Sequence, residues 1–272
     1  MISLGGVTHF FNEELLLPYW LRHHKDVFDK LILIDYASTD DSVAIIMDFI
    51  YTHNLDWLIQ RSTYNQFHFT TNDPEVMLCE TKLNTDWKLA LNTTEFVWDA
   101  NFKETLERLS ANYERHNIPA FGMRSYVMVD NAEQPLDDRP LWLHRHHGFW
   151  DGGNDWRNVV PTVRRWRYVH NQPHGNYQTG RHGINLPHIN CLGMSLLWSG
   201  YSPWEQCAGR KLQIQTRMEG EAPGMGWEHR VDMEGLRERY NEYLKISQDL
   251  LEIEDFARVY NEYKTKYEDG RY

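Results

Sequence analysis

Apolar positions in the first half of the chain fall into short strand-like runs separated by stretches of helical spacing. Residues 2–11 alternate loosely and predict a first strand. Asn12-Glu13-Glu14 then turns the chain, and Pro18 suits the first turn of a helix reaching about Lys25. Leu31 to Ile34 is a contiguous branched run that stops at Asp35, the pattern of a strand buried on both faces. Val43, Ile46, Met47 and Ile50 recur at helical spacing over 42–53, with Asp40, Asp41 and Ser42 placed to cap that helix. Leu55 to Gln60 predicts a third strand, Arg61 to Asp73 has loop composition, and Pro74 to Asn84 predicts a helix. Trp87 to Leu91 reads as a fourth strand, Asn101 to His116 as a helix, and Ala120 to Val129 as a further strand. This alternation implies an α/β fold with a mostly parallel central sheet and helices on both faces.

The pattern breaks at about residue 130. Residues 130–203 are rich in Gly, Pro, His, Trp and Asn with poor periodicity, the kind of segment on which binding sites concentrate. Leu236, Tyr240, Tyr243, Leu250 and Phe256 then mark one or two amphipathic C-terminal helices. No repeat or linker divides the chain, so a single unit over 1–272 is expected.

Composition narrows the function. Hydrophobic residues make up 41% of 272, enough for a sizeable core. The net charge of −11, from 28 basic and 39 acidic residues, argues against a nucleic-acid partner. No run approaches the roughly 18 apolar residues of a membrane span. A strand pattern from Ile2 leaves no room for a signal peptide. Cys79, Cys191 and Cys207 lack Cys-x-x-Cys spacing. A reduced, cytoplasmic protein is the expectation. His23 and His24 point about 100° apart on a helix and do not chelate together. Asp35, at the carboxyl end of a buried strand, lies where open α/β sheets bind ligands. The first strand is not followed by Gly-x-Gly-x-x-Gly, which disfavours a dinucleotide-binding enzyme.

Asn12-Glu13-Glu14, Leu17-Pro18-Tyr19-Trp20-Leu21 with His24, Leu33-Ile34-Asp35 and Ser38-Thr39-Asp40-Asp41-Ser42 resemble the opening of a GT-A glycosyltransferase. The likeness is to family-2-type enzymes and their family-92 relatives. It continues more weakly through Asp86-Trp87, Glu95-Phe96 and Tyr201-Ser202-Pro203-Trp204-Glu205-Gln206. The resemblance implies a GT-A-like fold that binds a nucleotide diphosphate sugar and transfers its sugar to a glycan or other hydroxyl acceptor. It places the base against the end of the first strand, Thr8 to Phe11 with His9 between them, and base or ribose against Asp35. Asn12, Glu13, Tyr36, which stands where a second acid is often found, and Arg61 are further donor-site residues. On that division 1–129 is the nucleotide-sugar-binding half, 130–230 the acceptor half, and 231–272 the C-terminal helices.

The family's metal motif, Asp-x-Asp after the fourth strand, is degenerate here: Asn92-Thr93-Thr94-Glu95-Phe96 replaces two hard anionic ligands with an amide and a hydroxyl. Trp198 stands where family members often carry a late His. No metal is therefore expected to bind tightly, with at most weak Mn or Mg through Glu95; Asn92, Thr94 and Glu95 remain donor-site residues. Leaving-group charge then needs another source, for which Arg164, Arg165, Arg167, Arg181 and Lys211 are candidates. His170, His174, His182 and His188 are candidates for phosphate contact or a different metal site. For a general base, Asp151 and Asp155 in the glycine-rich stretch 148–156 are the candidates, with Trp150 and Trp156 as sugar platforms. The same residues also suit a tight turn with capping aspartates. The rival to a transferase is a non-catalytic descendant of the fold that binds a glycan or a partner protein.

Overall fold

A computed structural model describes residues 2–64, 69–130, 136–151, 166–215 and 231–272. β1 (Leu4–Phe10) lies between β2 (Lys30–Asp35) and β4 (Trp87–Asn92), with β3 (Trp57–Arg61) at the edge, all running parallel. Helices α1 (Leu17–His24), α2 (Ser42–His53) and α3 (Phe69–Glu80) make the crossovers. The register sets His9 beside Asn92, Phe10 beside Asp35, and Asp35 beside Arg61. Four strand ends thus deliver polar side chains to one edge of the sheet, as an α/β crossover topology requires.

Beyond β4 the sheet becomes mixed. β8 (Trp166–His170) runs antiparallel to both β4 and β6 (Ala120–Val129). β7 (His147–Trp150) and the two-residue β10 (Gln248–Asp249) extend it past β6. β9 (His188–Tyr201) runs parallel to β6 and pairs antiparallel with β5 (Glu95–Trp98). Helices α4 (Phe102–Tyr113), α5 (Leu141–His144), α6 (Trp204–Gln215), α7 (Met233–Ile246) and α8 (Glu254–Glu268) complete the mixed α/β architecture.

The local patterns of the first half produce the expected elements, α2 within its expected bounds. Three features depart from expectation. α3 begins at Phe69, inside the stretch whose composition suggests a loop, because its polar residues Asn72, Asp73 and Glu75 are buried. β9 runs through the segment of poor periodicity. Met194, Leu196, Leu197, Trp198, Ser199 and Tyr201 are all buried, so no alternation marks it, and residues 191–194 bulge where β6 advances only from Gly122 to Arg124. α6 was also unmarked by the apolar pattern.

β5 is short, and side chains of α1 bond its backbone. Trp20 Nε1 donates to the Glu95 carbonyl at 2.9 Å, and His23 Nε2 lies 2.7 Å from the Val97 carbonyl. The Val97 N–H donates to His24 Nε2 at 3.2 Å. His24 Nδ1 then donates to Trp20 O, while His23 Nδ1 accepts from Tyr272 OH at 2.7 Å. The adjacent histidines are therefore structural. These bonds fix one neutral tautomer for each ring. Burial lowers both pKa values, that of His23 to about 4.

Acid should consequently weaken the fold. The folded pKa of His23 lies below its unfolded value, so the unfolded chain takes the proton first and stability falls as pH drops from about 6.5 toward 4. A shift of this size corresponds to roughly 3 kcal/mol. Urea midpoints measured at pH 7.5 and 4.5 should differ in that direction, and the dependence should flatten in His23→Gln. A native midpoint insensitive to pH over this range would refute the assignment.

Candidate functional site

The turn after β1 is stitched to the turn after β2. Asn12 adopts φ 50°, a left-handed conformation that asparagine tolerates. Its side-chain oxygen accepts the Thr39 N–H at 2.8 Å, and its own N–H donates to Ser38 Oγ at 3.1 Å. The Glu13 N–H donates to Ser42 Oγ at 2.7 Å, and the Glu14 N–H to Asp40 Oδ2 at 3.1 Å. Asp40 Oδ1 also accepts the Ser42 N–H. Asp41, expected to share the capping, is the N-cap residue of α2 but makes no side-chain cap bond.

Asp35 is 4% exposed and engaged on both oxygens: Oδ1 accepts the Ser38 N–H at 2.8 Å and Oδ2 faces Arg61 Nη1 at 3.1 Å. Tyr36 is buried and donates to Glu75 Oε2, which also accepts from Ser62 Oγ. Burial, then the Glu75 charge, raises the Tyr36 pKa. Thr8 Oγ1, fully buried, has no partner among the described residues. His9 meets the Tyr36 ring edge-on at 5.7 Å. Phe11 is half-buried beyond the strand.

The segment after β4 is occupied by guanidinium groups. Arg167 Nε donates to Glu95 Oε2 at 2.8 Å, and Arg167 Nη2 lies 2.6 Å from Oε1, both side chains being almost wholly buried. Arg181 Nη2 donates to Asn92 Oδ1 at 2.6 Å, and Nη1 to Asp73 Oδ1 at 2.8 Å. Arg181 Nη2 also lies 3.5 Å from His9 Nδ1. Burial, followed by the fields of Arg181, Arg210 and Arg167, holds the His9 pKa well below its ordinary value. Arg181 sits at φ 58° next to Gly180 at φ 75°, and its buried Nε has no partner among the described residues. Glu13, 3% exposed, pairs with Arg210 of α6. Burial raises the Glu13 pKa against the opposing pull of Arg210.

These donors do not fit a divalent ion. Asn92 gives its oxygen to Arg181, and Glu95 gives both of its own to Arg167, with Oε2 also accepting the Asn92 N–H. Thr94 is buried beside them. β9 sets Trp198 directly opposite Glu95. An ion would reach Glu95 only by displacing a buried guanidinium. Among the described residues no group of three or more His, Cys, Asp or Glu could hold a metal.

Of the other cations, Lys211 is 3% exposed and lies 3.8 Å over the Tyr201 ring. Arg164 and Arg165 lie outside the described residues. His182 Nδ1 is 3.0 Å from Arg167 Nη1. His170 is at the opposite end of β8, bonded to Glu80 and Tyr177. His174 and His188 are exposed. In the 144–147 run, Arg145 pairs with Asp130 and His146 with Asp249. Asp151 directly follows β7, is 2% exposed, and donates its N–H to the Ser125 carbonyl. In the sheet order, β6 and β8 separate β7 from β4. Asp155 and Trp156 lie outside the described residues. Asp73, Glu75 and Arg210 went unremarked in the sequence, since each acquires its role from a partner distant along the chain.

No protein-family model matches the chain, and comparison with curated proteins gives no match. Among solved structures, S. aureus TarS 1–349 in complex with UDP is 12% identical with a TM-score of 0.42, covering 100% of this chain and 93% of that one. Glucosyl-3-phosphoglycerate synthase from Mycobacterium tuberculosis, in complex with Mn2+, UDP and glucosyl-3-phosphoglycerate, is 13% identical with a TM-score of 0.36, covering 79% and 78%.

Breaking the Arg167–Glu95 pair should be costly. Arg167→Met leaves Glu95 buried without its counter-charge and should destabilise the protein by about 3–5 kcal/mol. The double variant Arg167→Met, Glu95→Gln should recover much of that loss in denaturant titration. A double variant no more stable than Arg167→Met would show that the electrostatic pair is not what matters.

Proposed function

We propose that this protein is a glycosyltransferase that uses a nucleotide diphosphate sugar and neutralises the diphosphate with arginine instead of a divalent ion. The observation that carries the reading is the convergence of Arg167 and Arg181 on Asn92 and Glu95, the segment where the sequence resemblance puts the metal motif. When the bond between the anomeric carbon and the diphosphate breaks, the electron pair leaves with the phosphate. Preorganised guanidinium groups stabilise that charge without reorganisation. Arg181 is held in an uncommon backbone conformation, and its buried Nε–H has no partner among the described residues. Such costs persist where the surroundings enforce them, and an anion at Nε would recover part of them. Asp35 and Arg61 form the other end of the site, suited to ribose or base. Asp155 and Asp151 remain the proposed bases for the acceptor hydroxyl.

A second reading, a non-catalytic binder, draws on one observation: both guanidinium groups already have carboxylate partners. Calorimetry with UDP and other nucleoside diphosphates, in EDTA and then in manganese, tests the first. Binding should occur in EDTA and gain little from manganese. Arg181→Gln and Asp35→Ala should each weaken it by about 1–3 kcal/mol, the loss typical of a charged hydrogen bond. Failure of every nucleotide to bind, or strict manganese dependence, overturns the proposal. Nucleotide binding without turnover on any acceptor would favour the second reading.

Asn92→Asp with Thr94→Asp should restore a carboxylate pair after β4 and make nucleotide binding respond to manganese. Unchanged manganese response in that double variant would mean that Arg167 and Arg181 exclude the ion whatever stands at 92 and 94.

A further inference from the structure

A cleft of about 280 Å³ opens between the turn after β1 and helix α6, lined by Asn12, Glu13, Glu14, Leu15, Leu16, Asp40, Gln206, Gly209, Arg210 and Gln213. Gln206, Gly209, Arg210 and Gln213 recur at the spacing of one helical face. Facing them is the turn whose backbone is fixed by Ser38, Asp40 and Ser42, so this wall is built before any ligand arrives. The Glu13–Arg210 pair spans the two walls. Asn12 and Glu13 of the lining directly follow β1, the strand that carries His9, which places the cleft beside the nucleotide site proposed above.

The lining selects a chemical class. Carboxylates and carboxamides arranged around two leucines suit a ring with hydroxyls on its edge and C–H groups on its face. Among the described lining residues Glu13, Glu14 and Asp40 stand against one cation, Arg210, so an added phosphate or carboxylate meets an excess of negative charge. The volume is at the lower end of ligand cavities, about 300–1,000 Å³, which suits one sugar unit rather than a chain.

We infer that this cleft is the acceptor subsite and takes a neutral or amine-bearing sugar, not a phosphorylated or acidic one. The assignment rests on the transferase reading, since only a transferase needs a second saccharide site next to its donor. Gly209 gives a clean handle. A Cβ built there meets nothing within 4 Å, so a larger side chain projects into open space.

The test is saturation-transfer NMR with methyl glucoside, glucosamine and glucose 6-phosphate, on native protein and on Gly209→Ala, Gly209→Trp and Gln206→Trp, with UDP titrated separately into each. Methyl glucoside or glucosamine should bind the native protein and Gly209→Ala. Sugar binding should fall by roughly tenfold or more in Gly209→Trp and Gln206→Trp, with UDP affinity changing by much less than that. Gln206→Trp enters the same cleft from a neighbouring turn and serves if Gly209→Trp does not fold. Native-like sugar binding in the filled variants overturns the inference, as does a native protein that binds no sugar or prefers glucose 6-phosphate. The two readings fail separately. Sugar binding without UDP binding removes the transferase proposal and leaves a saccharide cleft, whereas UDP binding without sugar binding removes the cleft alone.

Discussion

The contact between Arg167 and Glu95 joins the regular half of the protein to the irregular half, and the site's geometry follows from it. Arg167 belongs to β8 and Glu95 begins β5, yet the two meet through two nitrogen–oxygen contacts away from water. Neither charge can be left unpaired there without a penalty of several kcal/mol. The remaining nitrogen of Arg167, Nη1, reaches the carbonyls of Trp166, Gly180 and Arg181 and the His182 ring. The turn carrying Arg181 is thereby tied to the same side chain that neutralises Glu95. Arg181 in turn reaches Asn92 and Asp73. A chain of charge-assisted bonds thus runs from β5 through β8 to β4 and α3, and each member fixes the next.

Helix α3 anchors that chain from the other side. Asp73 and Glu80 are seven residues apart and so share a helix face. Asp73 holds the Gly180 N–H and the Arg181 guanidinium, while Glu80 holds the Gly175 N–H, the Tyr177 hydroxyl and the His170 ring. A segment with little regular structure is therefore clamped at both ends by buried carboxylates. Glu75, turned differently, fixes Tyr36 and the end of β3 through Ser62 and Thr63. From the stretch whose composition suggests a loop, Asp73 belongs to this clamp, and Ser62 and Thr63 bond Glu75.

How much was legible in the sequence follows from the range of the interactions. β1, β2, α2 and β4 are set by contiguous apolar runs, helical spacing and turn residues, all of which can be read within a window of about 11–18 residues. The position of Asp35 at the sheet edge follows from the same patterns. Asp73 and Arg181 are 108 residues apart, and Glu13 and Arg210 are 197 apart. Nothing local marks either partner. β9 was hidden for a related reason: buried by β5 and β6 together, it has no polar face to alternate with. Arg167 and Arg181 were legible as two among several cations, and only the folded arrangement separates them from Lys211, which is buried under Tyr201.

The neutral side chains of Asn92 and Thr94 after β4 have a consequence for how charge is managed. A divalent ion needs hard anionic ligands from the protein and arrives from solution. A guanidinium group is attached to the chain, always charged, and already placed. Its cost is that a permanent buried cation must be balanced in the empty site, and Glu95 and Asp73 do this. The surviving acid of the motif-like segment, Glu95, is thus a partner for Arg167. Trp198 stands opposite Glu95 across the β5–β9 pairing, and Arg181 holds the Asn92 oxygen. In the transferase we propose, an incoming diphosphate therefore competes with Asn92 and Asp73 for Arg181 and with Glu95 for Arg167. Binding is then an exchange of one anionic partner for another, and its selectivity lies in how well the phosphate oxygens match nitrogens that the fold has already oriented.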